Sequence, residues 1–197
     1  MAFLNHINGF FNSRGVRKTL LRLRLPIGAA LLIWLLCIVD PAWFWWGLGI
    51  SAFGALCQLW CFACIKTQKA LAVSGPYMFV RNPMYLSRFF LVLGGFVWTG
   101  NPWAVGVFVV IYYLYMYNRV LREEVILRDV FGESYEAYCR DVKRFFPTLN
   151  KRFDPGLLMK LDRECFNRNH GLTNVLVVVA LYALAYYCTF IFPYPFQ

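Results

Sequence analysis

Five apolar runs punctuate the chain, separated in alternation by basic segments and by short turns without Lys or Arg. They are Leu25 to Val39, Ala42 to Ile65, Tyr85 to Trp98, Trp103 to Tyr117 and Leu172 to Phe192. A helix needs about 20 apolar residues to cross a bilayer, and only helices and closed barrels satisfy their backbone polar groups inside one. Composition agrees: 60% of the 197 residues are hydrophobic and 15% charged, where a soluble domain carries about 25% charged residues. The expectation is an all-α, polytopic integral membrane protein with about five transmembrane helices. It forms one membrane domain over 1–197: a basic interfacial segment at 1–24, four spans as two helical hairpins at 25–118, a cytoplasmic catalytic and interfacial region at 119–170, and a C-terminal span at 171–197.

The first run is short for a span, so the Leu-rich stretch before it is expected to extend it, with Arg22 and Arg24 snorkelling. Residues 1–24, with Arg14, Arg17 and Lys18, read as an amphipathic helix on the inner membrane surface. No small-residue cleavage site follows, so the run is read as a retained span rather than a signal peptide. Asp40-Pro41 and Thr99-Gly100-Asn101-Pro102 turn the two hairpins, and Pro193-Tyr194-Pro195 ends the last span. Trp43, Phe44, Trp45 and Trp46 look like an aromatic belt.

The net charge of +10 could point to nucleic acid, but its placement in blocks between apolar runs points to headgroups and positive-inside loops. Lys and Arg precede the first span and fill the segments between spans two and three and between spans four and five. This puts the N-terminus in the cytoplasm, the C-terminus outside, and both motif-bearing segments on the cytoplasmic side. Seven cysteines lie mostly in apolar runs. Cys57, Cys61 and Cys64 share a helical stripe without a nearby His, which favours core packing over a metal site. Gly47-x-Gly49 with Gly54 lacks a βαβ context and reads as helix packing, not a nucleotide fingerprint.

Two cytoplasmic segments carry candidate chemistry. In Ser74-Gly75-Pro76-Tyr77-Met78-Phe79-Val80-Arg81-Asn82-Pro83-Met84-Tyr85, Pro83 can start the third helix, and Asn82 before it is biased to extended backbone. A helix N-terminus facing a cavity suits a carboxylate, such as the amino-acid end of a cofactor. A proline-capped loop with an aromatic anchor and a snorkelling Arg would read the same way. In Arg119-Val120-Leu121-Arg122-Glu123-Glu124, Arg119 and Glu123 share a helical face, with Arg122 and Glu124 expected to point elsewhere. By spacing alone this is equally an ion pair on a solvated helix end. Further on, Gly132 is expected to end a helix. Tyr135, Tyr138, Val142 and Phe145 then fall at helical spacing, as in an amphipathic helix packing on the membrane or over the site.

Taken together, Gly75-Pro76-Tyr77, Arg81-Asn82-Pro83-Met84-Tyr85, Glu123-Glu124, Phe131-Gly132, Tyr135, Tyr138, Val142 and Pro147 resemble the isoprenylcysteine carboxyl methyltransferases and the related phospholipid methyltransferases, over roughly Leu71 to Pro147. Tyr85 and Glu123 lie 38 positions apart, room for one helical hairpin. The resemblance implies an S-adenosylmethionine-dependent methyltransferase acting on a lipophilic or lipidated substrate at the cytoplasmic face. It implies that Lys69, Ala70, Leu71, Ala72 and Tyr77 line the cofactor pocket. Arg81, Asn82, Pro83, Met84 and Tyr85 would contact the cofactor, Glu123 would hold one of its polar groups, and Arg119 would face the methyl acceptor. Where an acceptor must lose a proton, Glu124 or a cavity Tyr is the candidate base. Asn82 departs from the family, which has His there: Asn keeps a donor and an acceptor but carries no proton.

The other reading is an NADPH-dependent membrane reductase of the sterol or steroid type, which the paired Glu123-Glu124 and the short chain disfavour. That shortness relative to eukaryotic members also suggests a prokaryotic inner membrane. The fifth span extends past the resemblance, and it could cover a lipid access path or pair with a second copy in a homo-oligomer.

Overall fold

The computed structural model describes residues 14–65, 70–148, 155–158 and 161–191. Every regular element among them is helical. Helix α1 (Arg14–Cys37) contains Pro26. From Arg14 onward the basic segment is therefore the first part of this one helix rather than a separate surface element, and residues 1–13 lie outside the described residues. Asp40 caps α2 (Pro41–Cys64) by accepting from the Ala42 amide at 2.9 Å. Its own amide donates to the Trp98 carbonyl at 2.9 Å, fastening the first turn to the end of α3 (Pro83–Val97). Asn101 caps α4 (Pro102–Asp141) through the Trp103 and Ala104 amides. Pro at the first position of α2, α3 and α4 costs no hydrogen bond, because that N–H has no partner in the helix anyway.

Helices α2 and α3 pack so closely that side chains must be absent. A Cβ on Gly54 would collide with the Leu91 backbone, and one on Gly94 with the Gly47 carbonyl. Ser51 Oγ donates to the Leu91 carbonyl at 2.6 Å across this seam. Gly47 and Gly54 thus serve helix packing, while nothing stands close to Gly49. Cys61 and Cys64 are buried against Tyr77, Trp60 and Met84, a core role for the cysteine stripe.

The fourth run continues well past Tyr117, because α4 is 40 residues long. Gly132 interrupts it with φ 50° and ψ −126°, a geometry that glycine reaches without a steric penalty. The amphipathic stretch beyond it stops earlier than its spacing suggested: Val142 caps α4 in extended conformation, so Phe145 lies beyond the helix. Two short helices follow, α5 (Pro155–Leu158) and α6 (Arg163–Arg168), then α7 (Gly171–Tyr186) and a π-helical turn at Tyr187–Ile191. Pro193-Tyr194-Pro195 lies outside the described residues.

Helix α7 lies on α2. Tyr182 Oη donates to the Gly47 carbonyl at 3.3 Å, and Phe44 meets the rings of Tyr182, Tyr186 and Phe190. Helix α6 docks on the opposite end of α2. The Asp162 amide donates to the Ala63 carbonyl at 3.0 Å, and Asn169 Nδ2 donates to the carbonyls of Phe62 and Ile65. Carbonyls that a helix C-terminus leaves without an intrahelical partner are thereby satisfied.

Among the described residues, three helical stretches are long and apolar enough to cross a membrane: Pro41–Cys64, Pro102–Asp141 and Gly171–Ile191. The apolar stretches Leu25–Cys37 and Pro83–Val97 are shorter. The outer faces are oily: Trp46, Leu56, Trp103, Ile111 and Leu172 are each more than 60% exposed, which water would disfavour and lipid would not.

Candidate functional site

A cavity of about 450 Å³ opens between the start of α3, the second half of α4 and the loop at 70–82. Its walls include Ala70, Leu71, Ala72, Tyr77, Arg81, Asn82, Met84, Tyr85, Arg119 and Glu123, ten of the residues singled out in the sequence. Pro83 is buried at the first position of α3 and is not among the wall residues. Lys69 lies outside the described residues.

The loop is shaped by a 3₁₀ turn at Gly75–Met78 that opens on Gly75 with φ 60°. Tyr77 is buried, and that burial pushes its phenol well above the usual range, so it is protonated across physiological pH. Tyr138 Oη donates to the Tyr77 carbonyl at 2.7 Å, the Arg81 amide to the Lys143 carbonyl at 3.0 Å, and the Thr148 amide to the Phe79 carbonyl at 2.8 Å. The far end of α4 and the segment after it are thus stitched along the loop.

One three-way contact joins α3 to α4. Tyr85 Oη donates to Glu123 Oε1 at 2.6 Å and accepts from Arg119 Nε at 3.1 Å. Arg119 Nη2 is itself 3.2 Å from Glu123 Oε1. Tyr112 Oη donates to the Tyr85 carbonyl at 2.8 Å. The 38-residue interval between Tyr85 and Glu123 therefore ends in direct contact.

Several features were not foreseen. Arg122 was expected to point away, yet it lines the cavity with Ile126, Leu127, Val130 and Phe131. Those four, on the same helix beyond Glu123, make one wall apolar. Tyr135 and Tyr138, whose helix face the spacing left either on the membrane or over the site, face the cavity. Glu124, the candidate base, does not line the cavity. Its side chain is 2% exposed and is gripped by Arg144, with Nε 2.9 Å from Oε1 and Nη2 2.7 Å from Oε2. Hydrogen bonding to Glu124 raises the pKa of Arg144.

Three polar atoms at the cavity are buried without a hydrogen-bond partner: Tyr77 Oη, Arg81 Nε and Asn82 Nδ2. Buried polar groups are seldom left so, because each costs about 1–3 kcal/mol. Two of them sit at the N-terminus of α3, where free amides and the helix dipole favour an anion. A ligand with a carboxylate, polar ring atoms and an apolar body fits this donor set, and the volume lies in the usual range for small-ligand sites, about 300–1,000 Å³. S-adenosylmethionine has those features.

Residues 42–134 match the phospholipid methyltransferase family. A protein-S-isoprenylcysteine O-methyltransferase of Schizosaccharomyces pombe is 32% identical over 79 residues, 40% of this chain and 34% of that protein. A probable protein-S-isoprenylcysteine O-methyltransferase of Oryza sativa subsp. japonica is 30% identical over 82 residues, 42% of this chain and 43% of its own length. The cobalt-zinc-cadmium resistance protein CzcN of Cupriavidus metallidurans is 34% identical over 106 residues, 52% and 48% of the two chains. The chain thus spans between a third and a half of the length of these relatives. No solved structure matches. Over residues 42–134 the chain carries the pattern of the phospholipid methyltransferase family, and it is similar in sequence to proteins named protein-S-isoprenylcysteine O-methyltransferase.

Proposed function

We propose that the chain is an integral membrane methyltransferase that uses S-adenosylmethionine to methylate a lipophilic substrate at the cytoplasmic face. The observation that carries this is the meeting of two distant sequence segments at one cavity, through Tyr85 and Glu123, with three unpartnered buried polar atoms on residues that line it. Lys and Arg fill the segments on one side of the five apolar runs, which supports five spans, a cytoplasmic N-terminus and a cytoplasmic cavity.

Asn82, Arg81 and the first amides of α3 would take the carboxylate of the methyl donor, and Tyr77 a polar atom of its ring system. Glu123, already accepting from Tyr85 and Arg119, would hold a cationic or donor group. Ala70, Leu71, Ala72 and Met84 would pack its body; Lys69 belongs with them by sequence. When bound, S-adenosylmethionine supplies an electrophilic methyl group on a sulfonium. Arg119 would orient the acceptor, while Phe131, Tyr135 and Tyr138 exclude water from the site. The apolar wall of Ile126, Leu127 and Val130 suits a hydrocarbon tail, in line with the prenylated cysteine in the relatives' names. The family match supports this reading over an NADPH-dependent reductase.

Calorimetric titration of the detergent-purified protein with S-adenosylmethionine, S-adenosylhomocysteine and NADPH tests it. Saturable binding of the two adenosyl ligands, weakened at least tenfold in Glu123→Ala (about 1.4 kcal/mol), is expected. Binding of NADPH alone would overturn the proposal.

A further inference from the structure

Glu124 neighbours Glu123 but, about 100° further round α4, is buried in protein. Its carboxylate is the meeting point of two guanidiniums from different places. Arg144, from the segment beyond α4, binds it through two parallel hydrogen bonds at 2.9 and 2.7 Å. Arg81, from the cavity loop, approaches at 3.6 Å. The guanidinium of Arg144 also lies 6.0 Å from the centre of the Tyr117 ring. Two-point pairing of this kind fixes orientation as well as distance.

The path of the chain gives this contact its meaning. Arg144 can reach Glu124, twenty residues earlier, because Gly132 turns α4 back on itself. The turned segment carries Tyr135 and Tyr138, which wall the cavity. Apart from the pair of hydrogen bonds to Glu124, it is tied to the loop by the Tyr138, Lys143 and Thr148 contacts described above and by Arg81 Nη1, which donates to Cys139 Sγ at 2.6 Å. Buried ion pairs contribute little net stability but impose a specific geometry. Here that geometry, together with the Cys139 contact, holds Arg81, a cavity-lining residue whose Nε is buried without a partner.

We infer that Glu124 is a positioning residue. With Arg144 it latches the segment 133–148 over the cavity and aims Arg81 into it, and it takes no proton from the substrate. This rests on the proposed donor site for its ligand-binding test, but not for its structural one.

The test uses the full-length protein with Glu124→Gln, Arg144→Gln, the double variant and Arg144→Lys. Hydrogen exchange without ligand is expected to show faster exchange in 133–148 in both single variants, with α2 and α3 as protected as in wild type. Titration with S-adenosylmethionine is expected to show both single variants weakened at least tenfold, the double variant no worse than the weaker single, and Arg144→Lys partly recovered. Non-additivity of this kind is the signature of one shared contact. Unchanged exchange in 133–148 would overturn the latch. So would wild-type affinity in both single variants, or losses that multiply in the double variant. Should wild type itself not bind S-adenosylmethionine, the proposed donor fails, and the exchange data alone decide the latch. Loss of protection throughout α2 and α3 would overturn the inference in favour of a general folding role.

Discussion

Tyr85 places one oxygen between a cation and an anion from the facing helix, so the phenol determines how Arg119 and Glu123 stand relative to α3. Removing that oxygen leaves the Arg119–Glu123 ion pair, half-exposed and worth little. Tyr85→Phe is therefore expected to cost about 1 kcal/mol of stability and to weaken S-adenosylmethionine binding by about tenfold, read by thermal melting and calorimetry. Asn82 offers a second residue-scale test. Asn does not titrate, whereas His changes charge near pH 6.5. In Asn82→His, binding of the donor's carboxylate is expected to weaken as pH rises through about 6.5 and the imidazolium loses its charge; in wild type this position contributes no such step. Calorimetry at pH 5.5 and 7.5 compares them. At this scale the sequence was informative about which residues gather but not about which way adjacent ones face. Glu123 and Glu124 are chemically identical neighbours, and only the phase of α4 separates the one at the cavity from the one on Arg144. Arg144 lies beyond a reversal that spacing alone does not reveal.

The same reversal governs the elements. Gly132 stands in open space, with nothing within 4 Å of an added Cβ, so any cost of substitution comes from backbone conformation alone. Gly132→Ala is expected to destabilise by about 1–3 kcal/mol and to loosen the segment that follows it, measured as a lower melting temperature and faster exchange there. Helix starts were legible because Pro41, Pro83 and Pro102 follow capping or turn residues, and all five apolar runs became helices. Helix ends were less legible. The fourth run continues to Asp141 because its polar second half is satisfied by the cavity and by Arg144, partners remote in sequence. Similarly, nothing local to Asn169 announces that it serves α2, more than a hundred positions away.

The whole molecule divides into two ends. An aromatic core of Phe44, Phe96, Trp98 and Phe108 holds the turns of the two hairpins, and the cavity occupies the opposite end. In the proposed topology those ends lie on opposite sides of a membrane. Labelling intact cells with a membrane-impermeant maleimide tests this, against a wild-type control. Trp103→Cys is expected to react, and Arg140→Cys only after permeabilisation; the reverse pattern would invert the topology. Helix α4 ties the two ends together. At about 1.5 Å per residue, its thirty residues before Gly132 make a rod of about 45 Å, longer than the ~30 Å hydrocarbon layer. Only its first seventeen residues, Pro102 to Asn118, are free of charge, about 26 Å, so in the proposed topology a change of bilayer thickness would shift or tilt α4, and Arg119, Arg122 and Glu123 would move with it. The site would thereby be coupled mechanically to its surroundings, with the acyl-chain length of the host lipids a physical input to the spacing of its charged groups.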